Sequence, residues 1–206
     1  MRARVVAAVA FTGLAASVGA FAKERVSPNA ADTAAARAVM ITKADLKPTG
    51  GWKGGPTKPD FSESTCSYYH PNDAGLVITG AAENDWSRAD RALTSAADVL
   101  QTARMVQLDF RRSATAANLR CTLVKAGASN VAPVMIPLPK LGNETVAFRA
   151  TYQTTGGALQ VVEIALIGHG RTEITAAEIM AEPAPLSTLH SDVVRLATIM
   201  TSRAKV

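Results

Sequence analysis

Between Val146 and Met180 the chain spells three strands separated by two short glycine turns, and few folds can absorb such a run. Val146, Phe148, Ala150 and Tyr152 alternate with Ala147, Arg149 and Thr151, the period of a half-buried strand. Thr154-Thr155-Gly156-Gly157 turns the chain. Leu159 to Ile167 then reads as a second strand, apolar on both faces near its end (Val161, Val162, Ile164, Leu166), and therefore central. Gly168-His169-Gly170 turns again, and Arg171 to Met180 returns as a third strand. Turns this short join neighbours antiparallel, so the segment is a meander. Glu182-Pro183-Ala184-Pro185 stops it, and Ser187 leads into a closing helix with Leu189, Val193, Leu196 and Met200 on one face.

Upstream the signals are weaker. Ala30 to Met40 has the composition of a short helix. Thr49-Gly50-Gly51-Trp52-Lys53-Gly54-Gly55-Pro56 can be neither helix nor central strand, and loop character continues through Pro59 to Ser67. After the turn signal Pro71-Asn72-Asp73-Ala74-Gly75, Leu76 to Ala82 reads as a strand. Ser95-Ala96-Ala97-Asp98 has the form of a capping box, and Val99, Ala103, Val106 and Phe110 follow at helical spacing, which predicts a helix from Ser95 to about Phe110. Periodicity does not settle the type of Leu119 to Val124, and Val131 to Pro139, with two prolines, reads as extended but irregular. This order of elements predicts an α+β fold, a single antiparallel β-sheet flanked by helices.

The first 22 residues form a signal peptide. Arg2 and Arg4 precede an apolar, alanine-rich stretch from Val5 to Val18, and Ala20-Phe21-Ala22 places small residues at the −3 and −1 positions before Lys23. No cysteine stands near that point to carry a lipid. Removal of the leader leaves 184 residues, with 23–42 a polar, then alanine-rich segment and 43–206 one globular domain. No later apolar run approaches the roughly 20 residues of a membrane span. The expectation is a secreted, extracytoplasmic protein with no membrane span after signal removal.

Two cysteines, Cys66 and Cys121, both enter the oxidising compartment that the leader implies, so a disulfide is expected. The absence of a C-x-x-C pair argues against redox or metal chemistry. Charge excludes a further class. The chain carries 22 basic and 17 acidic residues, and Arg111-Arg112 is the one adjacent basic pair, so no stripe exists to neutralise phosphates and nucleic acid is not an expected partner.

Catalytic signatures are lacking. The three histidines, His70, His169 and His190, fall in a loop, a turn and the last helix, and no serine sits in G-x-S-x-G. His70 and Asp73 make only two metal ligands, the glycine pairs lack the lysine and Ser/Thr of a P-loop, and no carboxylate pair is marked for a raised pKa. Neither catalytic residue, metal nor cofactor is therefore assigned.

Aromatic residues are unevenly placed. Of the eight beyond the leader, Trp52, Phe61, Tyr68 and Tyr69 fall in one loop-rich stretch around Cys66. Two readings follow. Such side chains on a disulfide-held loop form a recognition surface, or they fold inward as a lid on a sheet short of large residues. The first reading nominates Trp52, Tyr68, Tyr69 and His70 as ligand-binding, with Trp86 beyond the next strand and Arg88 to meet an anionic group.

Several landmarks, taken together, carry a family resemblance. They are Lys43-Ala44-Asp45-Leu46, the Gly51-Trp52 pair, Thr79-Gly80, the run Leu141-Gly142-Asn143-Glu144-Thr145-Val146-Ala147-Phe148-Arg149, and the Gly168-His169-Gly170-Arg171 turn before a terminal helix. The pattern resembles the extracytoplasmic sensor-like domains of actinobacterial envelope proteins, including the outer domain of PknH-type receptor kinases, whose fold is similar to that of the PsbP family. The resemblance implies a non-enzymatic binding or sensing module of the cell envelope, its partner a small molecule, an envelope component or a protein. The alternatives are an envelope hydrolase with a non-motif active site and a protein-partner scaffold. One departure matters: the kinase domain has two disulfides, and this chain can form one, so that domain's ligand cleft does not transfer residue by residue.

Overall fold

The computed structural model describes residues 25–61 and 66–204; the expected signal peptide and its cleavage point lie outside them. Eight strands, β1 (Arg25–Val26), β2 (Lys53–Thr57), β3 (Val77–Arg88), β4 (Arg91–Leu100), β5 (Ser129–Ile136), β6 (Glu144–Gln153), β7 (Leu159–His169) and β8 (Thr172–Ala181), form one sheet. Its order is β1-β3-β4-β8-β7-β6-β5, and β2 shares the outer edge of β3 with β1. Every pairing is antiparallel except β1 with β3. The prolines obey the rule that a residue without an N–H belongs at an edge: Pro56 lies in β2 and Pro133 in β5.

Helices cover both faces. Helix α1 (Ala30–Val39) and the closing helix α4 (Leu186–Arg203) pack on one face with Leu93, Val161, Ala165 and Ile174. On the other, α2 (Ala103–Ser113) and α3 (Ala116–Lys125) pack over Phe148, Val162, Ile164 and Leu166. The α1 end of the first layer is tight. A Cβ on Gly80 would lie 2.2 Å from the backbone carbon of Asp32, so only glycine lets the first turn of α1 rest on β3. Among the described residues no helix is long and apolar enough to cross a membrane.

The α+β class and the C-terminal meander are as expected, but the helix predicted from Ser95 is not. Ser95 to Leu100 complete β4, which runs between β3 and β8, and α2 starts only at Ala103. The reason is burial on both faces. Ser95 through Leu100 are all buried, so the strand loses its alternation, and its alanines and Asp98 imitate a helix start. The true cap is Thr102, whose hydroxyl accepts from the Met105 N–H. Leu119 to Val124 belongs to α3, and Val131 to Ile136 to the edge strand β5.

Candidate functional site: an acidic pocket under α2

The cysteines are joined, with Cα atoms 5.8 Å apart, tying the segment around Tyr69 to α3. The residues nominated for ligand binding divide between the two sides of the sheet. Trp52 and Trp86 both sink into the core beneath α1 and α4, each keeping less than a tenth of its surface. The Trp52 indole N–H donates to Thr49 Oγ1 at 2.8 Å. Arg88 lies over the same ring, 5.2 Å from its centroid, and donates to the Thr49 carbonyl at 2.6 Å. Its charge is thereby spent on the protein itself. On the opposite side Tyr69 is equally buried, its hydroxyl donating to the Arg112 carbonyl at 3.4 Å, while Tyr68 is 48% exposed beneath Arg120 and His70 is exposed. Trp52 and Trp86 thus belong to the α1–α4 core, while Tyr69 packs toward α2.

Tyr69 does point toward a second feature, one the sequence analysis did not nominate. Its phenol is pushed up to about 12, chiefly by burial, with Ser113, Asp73 and Asp109 as electrostatic neighbours. Asp109 and Ser113 lie on α2 and line a small cavity of about 30 Å³ between that helix and strands β4, β7 and β8. From the sheet Asp98 and Glu173 enter it, and they face each other directly across the β4–β8 pair. Phe110 and Leu166 supply apolar wall.

The electrostatics are unusual for a basic protein. Asp98 is 8% exposed and has Glu173 opposite it on β8 and Asp109 near it on α2. Burial, then the charge of Asp109, pushes it up to about 7. Asp109 is itself raised by burial, although Ser113 Oγ donates to it at 2.5 Å. Farther along the same face, Glu83 is pushed up to about 8 by burial and by Asp85, with Asp98 adding to the effect. The pocket can therefore exchange protons near neutrality and can offer oxygens to a donor. Ser113 donates to Asp109, and none of the three histidines lines the cavity. Among the described residues no group of three or more His, Cys, Asp or Glu side chains could hold a metal ion.

Further buried charges form a network on the α4 side. Glu163 and Glu178 face each other across β7 and β8. Arg149 donates to Glu163 through two nitrogens at 3.1 and 2.8 Å, and His190 on α4 meets the other oxygen at 2.5 Å. Arg91 bridges Glu178 at 3.0 Å and Asp192 of α4 at 2.9 Å. Burial, with Asp192 alongside, still pushes Glu178 up to about 7 against the pull of Arg91. Because these carboxylates have protein partners, the network seats α4 on the sheet. A sequence signal for both groups exists: charged residues such as Glu163, Glu178 and Asp98 standing inside otherwise apolar strands.

No protein-family profile and no curated protein sequence matches this chain. Among solved structures, the fold is similar to that of the extracellular domain of PknH from Mycobacterium tuberculosis. The TM-score is 0.52 at 11% identity, over 86% of this chain and 98% of that one. An uncharacterized protein from Mycobacterium smegmatis, the Rv0999 ortholog, gives 0.47 at 11% identity over 82% and 98%. At this identity the likeness to the kinase's outer domain is one of fold.

Proposed function

We propose that the chain is an extracytoplasmic, non-enzymatic binding module of the cell envelope that receives a small ligand in the pocket under α2. The single observation that carries the reading is Asp98, a buried carboxylate lining a cavity with a second carboxylate, Asp109, beside it. A group of that kind costs several kcal/mol of desolvation if nothing meets it, so proteins rarely keep one without a use. Secretion fits the leader and the disulfide, a bond that persists in oxidising compartments. The likeness to a kinase's outer domain supports a sensing scaffold.

A fragment screen on the mature, disulfide-bonded protein tests this, read by amide chemical shifts. Bound fragments are expected to move the amides of Asp98, Asp109 to Ala114 and Glu173 to Thr175. Hits confined to other surfaces would overturn the assignment. So would turnover of a model ester or aryl glycoside that Ser113→Ala abolishes.

A further inference from the structure

We propose that the outer face of α2 and α3 docks on an anionic lipid surface, its arginines meeting phosphate head groups. Between Asp98 and Glu144 the chain carries six basic residues and one acidic residue, a net of +5 that equals the net charge of the whole chain. The remainder of the chain therefore sums to zero. The one acid, Asp109, is buried, so α2 and α3 expose no carboxylate. This surface looks away from the pocket, which lies on the sheet side of α2.

Helical spacing aims the charges outward. Arg104 and Arg111 stand seven residues apart on α2, on the side opposite the buried Val106, Asp109 and Ser113. On α3, Arg120 and Val124 form the exposed stripe, with Leu119, Thr122 and Leu123 buried. Among the described residues none of Arg104, Arg111 and Arg120 joins an ion pair, whereas Arg91, Arg149, Arg171 and Arg203 are each bonded to a carboxylate. Arg112 is not one of the set, because it faces Asp109 and donates to the Ala74 carbonyl at 3.3 Å.

Apolar groups accompany the charges. Tyr68 is 48% exposed with the Arg120 guanidinium 5.4 Å from its ring centroid, and Val124 is 41% exposed one turn beyond Arg120. Cations beside an aromatic ring suit a membrane–water interface, where arginines take the phosphates and the ring and aliphatic groups rest at the acyl boundary. A soluble polyanion would use the arginines and leave Tyr68 and Val124 without a role, which favours lipid. Each basic residue near an anionic surface raises partitioning roughly fivefold, so three together give on the order of a hundredfold.

Flotation of the mature, disulfide-bonded protein with vesicles tests this. One set is phosphatidylcholine alone, the other a seven-to-three mixture of phosphatidylcholine with phosphatidylglycerol. The protein is expected to float with the mixture at low salt, less at high salt, and not with phosphatidylcholine alone. The triple variant Arg104→Gln, Arg111→Gln, Arg120→Gln should lower partitioning on the order of a hundredfold. Arg37→Gln with Lys43→Gln and Lys47→Gln removes as many exposed charges around α1 and should change it less than about twofold. Both sets alter exposed side chains only, and unchanged thermal midpoints check that each variant is folded. Tyr68→Ser with Val124→Ser should weaken vesicle binding several-fold and leave binding to dextran sulfate unchanged. An equal loss in the two triple variants would show that net charge and not this face attracts the vesicles, and would overturn the proposal. Binding to dextran sulfate without binding to the anionic vesicles would assign the face to a soluble polyanion instead, and binding to neither would leave it no anionic partner; each result sinks lipid docking.

Discussion

Arg88 and Trp52 show how a residue's neighbours in space replace its neighbours in sequence. Arg88 stands two positions after Trp86, which suggests a pair waiting for an anionic ligand; in the fold it stacks on Trp52 and caps the Thr49 carbonyl. Trp52 in turn fills the core under α1, its only polar atom satisfied by Thr49. Truncating it removes a large buried surface, so Trp52→Ala should cost about 3–5 kcal/mol, measured by urea denaturation. Tyr68→Ala, at an exposed ring, should cost less than about 0.5 kcal/mol. An unchanged midpoint for Trp52→Ala would mean that the ring is not part of the packing. The density of aromatics around Cys66 was legible in the sequence; the direction each ring faces was not, because loop residues carry no periodicity to reveal it.

At the scale of elements, the legible parts are those buried on one face. Strand β6 alternates cleanly and α4 repeats at helical spacing, and both fall where the sequence places them. Strand β4 does not, since both its faces are covered and only its neighbours β3 and β8 define it. That misreading also hid the pocket: with Asp98 taken as a helix cap, nothing set it opposite Glu173. The disulfide is an element-scale device as well, linking the Cys66–Tyr69 bridge to α3 across 55 residues. On the loop-entropy model it contributes about 4 kcal/mol. The double variant Cys66→Ser with Cys121→Ala should therefore lower the denaturation midpoint, and hydrogen exchange should show Tyr69 losing protection before β7 does. Full protection of Tyr69 in that variant would show that packing against α2, and not the bond, holds the segment.

Across the whole molecule, buried acids set how stability depends on pH. Asp98 and Glu178 are pushed up to about 7 and Glu83 to about 8, burial being the first cause in each. The groups facing them divide in sign: Asp109 and Glu173 toward Asp98, Asp85 toward Glu83, and Asp192 against Arg91 at Glu178. A carboxyl with a raised folded pKa holds its proton in the native state after the unfolded chain has lost it. Stability from these three is thus complete below the unfolded values near 4 and declines as pH rises through about 7 to 8. Two surface carboxylates act the other way. Asp45, against its own burial, is held down to about 2 by Arg203 and Thr42, and Asp32 is lowered by Thr79 and then by Asn29 and Arg171. Their contribution is present above the unfolded value near 4 and disappears as pH falls toward 2. The two slopes meet, so stability should peak at about pH 4 to 5 and decrease toward pH 8. Net positive charge shrinks over the same interval and favours the folded state, but exposed charges are screened by salt while the buried acids are not. Urea midpoints at pH 4.5, 6 and 8 in 0.15 M salt should fall in that order. Asp98→Asn, which removes one ionisation while keeping the shape, should raise the midpoint at pH 8 and flatten the decline. A midpoint that rises from pH 5 to 8 in the unmodified protein would show that these carboxylates are solvated in the native state.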